Sequence, residues 1–170
     1  MRRWRNLLLI LCATAFSPVH AHSASDAYLT LSADAQHPGV LHGQWDIALR
    51  DLDFLLALDD NGDGKLSWGE VRQHLPAIER YAYGRLAFAG GDAACQLAPL
   101  RQQIDDHADG AYLVLFFEVT CNSAEITMSY SLFFDVDPSH RGIFLLHSKS
   151  GTSTAVLSPQ NSSVSLATAP

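Results

Sequence analysis

Twelve consecutive residues, 59–70, reading DDNGDGKLSWGE, constrain this chain more than any other stretch. Counted from Asp59, oxygen-bearing side chains stand at positions 1, 3, 5, 9 and 12: Asp59, Asn61, Asp63, Ser67 and Glu70. Gly64 is sixth and apolar Leu66 is eighth. EF-hand loops use this spacing to wrap hard oxygen ligands around Ca2+. In the expected ligand set Asp59, Asn61 and Asp63 give side-chain oxygens and Lys65 its backbone carbonyl. Ser67 acts through a water, and Glu70 closes the shell bidentately. The competing reading is an Asp/Gly-rich turn that binds nothing, because Asn-Gly and Asp-Gly are ordinary turn signals. Such a turn needs neither a glutamate at the twelfth position nor an apolar residue at the eighth. Ser67 and Glu70 also form an S-x-x-E capping box, so a helix is expected to start as the loop ends.

The N-terminus reads as an export signal over residues 1–21. Arg2, Arg3 and Arg5 precede the apolar run 7–16, and Val19, His20 and Ala21 offer a cleavage site. The apolar run is too short to span a bilayer, which takes about 20 residues. Cleavage after Ala21 would remove three arginines and make the net charge of −7 more negative. An acidic chain does not bind nucleic acid through phosphate contacts. Periplasmic or secreted localisation is expected, and with it a disulfide between Cys95 and Cys121, the two cysteines left after cleavage. That bridge closes a loop of about 25 residues, worth about 3 kcal/mol in the chain-entropy account.

Beyond the loop, the strongest pattern is alternation of apolar and polar residues. In 40–49, Leu41, Trp45, Ile47 and Leu49 share one face, with His42, Gln44 and Asp46 on the other. In 126–134, Ile126, Met128, Tyr130, Leu132 and Phe134 alternate with Thr127, Ser129 and Ser131. Residues 112–120 are apolar on both faces, as in a central strand. Shorter strands are expected at 28–32, 96–104, 142–147 and 152–157. Asp51 or Asp53 is expected to cap a short helix entering the loop. Trp68, Val71 and Leu75 should form the buried face of the helix leaving it, with Pro76 ending or restarting that helix and 78–86 forming a second segment. The fold class expected is mainly β with a helical insertion. In detail it is an antiparallel Ig-like β-sandwich of about seven strands interrupted by one EF-hand helix–loop–helix. The sandwich would cover 22–158, with the insertion at 51–75 and a flexible C-terminal tail at 159–170. The acidic stretches at Asp105, Asp106 and Asp109 and at Asp135 and Asp137 lack the loop spacing and read as turns.

Three stretches, SDAYLTLSAD, GQWDIALRDLDFLLALDDNGDGKLSWGEV and YSLFFDVDPSHRG, resemble the extracytoplasmic N-terminal region of HupE/UreJ-type hydrogenase/urease accessory membrane proteins. The resemblance covers about residues 22–158, and QWDIALRDLD and LFFDVDPSHRG carry most of it. In that family membrane helices follow, linked to nickel or cobalt uptake; this sequence stops where the first would begin. The resemblance implies an exported location, the calcium-loop residues named above and a membrane-protein partner, a metal permease, as one function.

The leading expectation is an exported calcium-binding accessory module with a mainly structural ion. A transition-metal protein is the alternative: an N-terminal His22 could chelate copper or nickel, with His37, His42, His74, His107, His140 and His147 as further ligands. Nothing in the sequence has the spacing of a nucleophile elbow, an H-E-x-x-H zinc site or a phosphate loop, so no enzyme is expected.

Overall fold

A computed structural model describes residues 25–123 and 125–167. Residues 1–21, expected as an export signal, and His22 lie outside the described residues. Ten strands and two helices follow in the order β1 (Asp26–Ala33), β2 (Val40–Ala48), α1 (Leu49–Leu56), α2 (Trp68–Tyr83), β3 (Leu86–Gly90), β4 (Ala93–Ala94), β5 (Gln96–His107), β6 (Gly110–Thr120), β7 (Glu125–Tyr130), β8 (Arg141–Ser148), β9 (Gly151–Leu157) and β10 (Ser163–Ala167). The strands form a six-stranded sheet ordered β5-β6-β2-β1-β8-β9 and a four-stranded sheet ordered β10-β7-β3-β4.

Alternation explains how the sheets face each other. In β2, Leu41, Trp45 and Ile47 are fully buried, and in β7 Ile126, Met128 and Tyr130 are buried while Thr127 and Ser129 are exposed. Rings from the two sheets meet: Trp45 lies 5.7 Å from Tyr130, and Phe117 of β6 lies 6.3 Å from Phe88 of β3. One contiguous core results. Gly43 interrupts the apolar face of β2 because the Phe117 ring occupies that space; a Cβ there would stand 2.2 Å from its Cζ. The disulfide between Cys95 and Cys121 spans 4.6 Å between Cα atoms and ties the β4–β5 junction to the end of β6. Such a bridge fits an oxidising, extracytoplasmic environment. No helix among the described residues is long and apolar enough to cross a membrane.

Several expectations need correction. The sandwich is not wholly antiparallel, since β8 pairs in parallel with β1. After β7 the chain leaves the smaller sheet and enters the larger one beside the start of β1, where Arg141 N–H donates to Ser25 O at 3.0 Å. Both strands therefore run from the same end. β7 stops at Tyr130, and residues 131–137 turn instead of extending to Phe134. Helix α2 runs through Pro76 to Tyr83. Proline forfeits one helical hydrogen bond there, but burial of Val71, Ile78 and Ala82 on one face keeps the helix whole. Residues 159–170, expected as a flexible tail, supply β10, which pairs with β7.

Candidate functional site

Helix α1 leads into the acidic loop and α2 leads out of it. No side chain caps the start of α1, contrary to the capping expected from Asp51 or Asp53. Asp53 acts at the other end: its Oδ1 accepts the N–H of Leu58 at 2.8 Å and of Asp59 at 3.1 Å. Leu58 beside it is fully buried, so the loop's first residue is fixed to the core.

Within the loop, Asp59 Oδ1 accepts from Gly62 N at 2.8 Å and Asp63 N at 3.3 Å, and Oδ2 accepts from Gly64 N at 2.8 Å. Asn61 Oδ1 accepts from Asp63 N at 2.8 Å, and Asp63 Oδ1 from Lys65 N at 2.9 Å. Such bonds coil the backbone inward around positions 1, 3 and 5. Gly62 and Gly64 carry φ of +71° and +75°, conformations that L side chains resist. Open space surrounds both, so backbone conformation alone calls for glycine.

The capping box forms as expected. Glu70 N–H donates to Ser67 Oγ at 3.3 Å, and Ser67 N–H donates to Glu70 Oε2 at 2.9 Å. Ser67 Oγ–H adds a bond to the same Oε2 at 2.7 Å. These donors hold the Glu70 carboxyl below its usual range, with a smaller contribution from the Asn61 amide and opposition from Asp59. Glu70 Oε1 is buried and has no hydrogen-bond partner, in a residue only 9% exposed. A buried carboxylate oxygen without a partner is costly.

Two parts of the expected geometry differ. Trp68 is 42% exposed, so the inward face of α2 begins at Val71. Among the described residues, no three His, Cys, Asp or Glu side chains converge closely enough to hold an ion by themselves. The carboxylates of the loop are turned onto backbone N–H groups, and the remaining oxygens of an EF-hand shell come from asparagine, a carbonyl and water. Asp60, beside the loop's first residue, is held by His74 Nε2 of α2 at 3.0 Å.

The other expected histidine ligands do not gather at one point: two of them share Asp34, and the rest lie elsewhere. His37 and His42 face Asp34 at 3.2 and 3.4 Å, His107 faces Asp46 at 3.2 Å, and His147 meets Thr152 at 3.1 Å. His140 is different. Fully buried, it accepts or donates at 2.8 Å with Tyr130 Oη through Nε2 and at 2.7 Å with Ser25 Oγ through Nδ1. Ser25 Oγ–H in turn donates to Asp51 Oδ2 at 2.9 Å. Since Ser25 has one proton and gives it to Asp51, His140 must donate from Nδ1 and accept from Tyr130 at Nε2. Burial pushes the His140 pKa down to about 4, so the ring is neutral near pH 7, as this chain requires. Burial also raises the Tyr130 phenol. Asp51 is raised too, by desolvation, against the opposing pull of Ser25 and Arg50.

Beside this chain, Phe133 adopts φ of +57° with its ring buried. A left-handed backbone at an aromatic residue costs on the order of 1–3 kcal/mol. Its carbonyl accepts from Val136 N at 3.0 Å and Asp137 N at 2.7 Å, which closes the turn. Sequence reasoning missed this network because its members are scattered along the chain. One signal was present: Ser25, Asp51 and His140 belong respectively to the three stretches SDAYLTLSAD, QWDIALRDLD and LFFDVDPSHRG. No protein-family model and no curated protein sequence matches the chain.

Proposed function

We propose that this chain is an exported calcium-binding accessory module whose ion joins α1 and α2 to the sandwich. The observation that carries the reading is Glu70 Oε1, buried without a partner at the loop's twelfth position. A hard cation there would satisfy that oxygen and offset the mutual repulsion of Asp59, Asp63 and Glu70. Asp59, Asn61 and Asp63 would hold it by side chain and Lys65 by its carbonyl. Ser67 would act through a water, and Glu70 through both oxygens. The ion supplies charge and coordination only. The residues already supply the turn, the cap and the attachment through Asp53.

The role is structural. Calcium sites of extracellular modules bind at about 10⁻⁴–10⁻³ M and stay largely filled where ambient calcium is of that order. The export reading rests on residues 2–21 and on the disulfide. Isothermal titration of the chelator-stripped protein with CaCl2 tests the ion. One saturable site is expected, weakened strongly by Glu70→Gln and mildly by Ser67→Ala. Absence of any heat at millimolar calcium, or equal effects of the two substitutions, would overturn it.

A further inference from the structure

Asn61 and Gly62 form the one Asn-Gly pair in the sequence. In such a pair the glycine nitrogen can attack the side-chain carbon of the asparagine, because no Cβ on the following residue crowds the approach. Gly62 has open space around it and a φ of +71°. Residues 61–65 are all exposed, so water reaches the pair. The other two asparagines among the described residues, Asn122 and Asn161, are each followed by serine. The Asn161 amide is also engaged, donating to Val156 O at 3.0 Å.

Sequence alone would make this an ordinary slow reaction, but the loop sets two further groups at the reacting atoms. Gly62 N–H donates to Asp59 Oδ1 at 2.8 Å. An amide nitrogen is a poor nucleophile until it loses its proton, and a carboxylate within hydrogen-bond reach is placed to take that proton as a general base. Asn61 Oδ1 accepts from Asp63 N–H at 2.8 Å, a donor shared with Asp59 Oδ1 at 3.3 Å. That asparagine oxygen gains negative charge when its carbon is attacked, and a fixed N–H aimed at it stabilises the charge. The same bond turns the Asn61 side chain towards the backbone that follows it, where the Gly62 nitrogen lies. Asp59 Oδ2 holds Gly64 N–H at 2.8 Å, which fixes the carboxylate against the coil. Nucleophile, base and oxyanion donor all come from residues 59–63.

We infer that Asn61 is a self-modification site, which the loop converts to aspartate or isoaspartate. Gly62 N attacks Asn61 Cγ while its proton passes to Asp59. The bond from Cγ to the side-chain nitrogen breaks, and that nitrogen takes the proton and leaves as ammonia. Water then opens the resulting five-membered imide at either carbonyl. Opening one way gives aspartate, which adds a negative charge at the loop's third position. Opening the other way gives isoaspartate, which adds one carbon to the main chain and breaks the loop spacing. The assignment does not depend on a bound ion. Peptide mapping by mass spectrometry tests it, on the full chain incubated near neutral pH in chelator, so that no ion takes the Asp59 oxygens. Asn61 is expected to convert to a mixture of the two products while Asn122 and Asn161 stay intact. Conversion should be about a hundredfold faster in the folded chain than in the same chain unfolded in guanidinium chloride, the low end of what a positioned base contributes. Asp59→Asn keeps the shape of the side chain without its basicity, and should slow the folded chain to the rate of the unfolded one. Conversion no faster in the folded chain than in the unfolded one, or Asp59→Asn converting as fast as the wild type, would overturn the inference. Loss of Asn122 or Asn161 at the rate of Asn61 would also overturn it, since the loop would then contribute nothing.

Discussion

The acidic loop and the His140 network lie at opposite ends of α1, and their physical construction is opposed. The loop is built from twelve consecutive residues, and 61–65 are all exposed. The hydrogen bonds among its own residues span at most five positions, and its longest tie to the rest of the chain, Asp60 to His74, spans fourteen. The network draws Ser25, Asp51, Tyr130 and His140 from four segments, up to 115 residues apart. It centres on a fully buried ring. A local, exposed, charged construction can form early and tolerate change, but its worth depends on a ligand. A long-range buried one is worth most when complete and is costly to open. Damage to the network should therefore cost folding, while damage to the loop should cost calcium.

The largest effect expected is that of His140→Ala. It leaves Tyr130 Oη and Ser25 Oγ without their partner and opens a cavity, for a loss of about 3–5 kcal/mol. Urea unfolding would show it as a lower midpoint with unchanged slope. Calcium affinity of the folded variant should stay as in the wild type. A large loss of calcium binding would erase the distinction between the two regions.

Acid should act on the network first. The folded His140 pKa, about 4, lies below its ordinary value of 6.5, so the unfolded chain binds more protons between those values. Stability from this group is full above about pH 6.5, falls as pH drops towards 4, and levels off below, for a total on the order of 3 kcal/mol. Asp51 and Asp46, raised by burial, have the opposite sign and give back stability as they protonate. Glu70 and Asp137, held low, lose their contribution only as pH falls through the acid range. Unfolding midpoints measured from pH 7 to 4.5 should fall in the wild type and stay nearly flat in His140→Ala. Parallel curves would show that some other group titrates.

The same contrast decides what could be read in the sequence. The start of α2 was legible because a capping box fixes residue types at a fixed spacing, and Ser67 and Glu70 form the one that their spacing implied. The two-sheet β architecture was legible through alternation in β2 and β7, and the disulfide through the small number of cysteines. The network was not. Pro138-Ser139-His140 reads as a turn, and nothing local says that His140 will be roofed by Phe133 and Phe134, whose rings lie 5.1 and 6.2 Å away. Pro76 misled for a related reason: its rule is local, whereas burial of Ile78 and Ala82 is decided by the sheet beneath α2. Asp53 was placed at the wrong end of α1, because a short helix offers a carboxylate either terminus.

The smallest effects test the loop from inside. Saturation tenfold above the dissociation constant should add about 1.4 kcal/mol to stability, a rise of several degrees at most in thermal midpoint for a domain of this size. Glu70→Gln should abolish that increment, because the amide lacks the charge and the second strong oxygen that closure needs. Ser67→Ala should instead cost about 1 kcal/mol with or without calcium, since it removes the acceptor for the Glu70 N–H at the start of α2. The increment itself should largely survive, because in the proposed shell Ser67 reaches the ion only through a water. Midpoints of the wild type and both variants, each measured in chelator and in calcium, separate the cap from the coordination shell. If Ser67→Ala removed the increment as completely as Glu70→Gln, the serine would be a direct ligand, and the division between a helix cap and an ion site within these twelve residues would be lost.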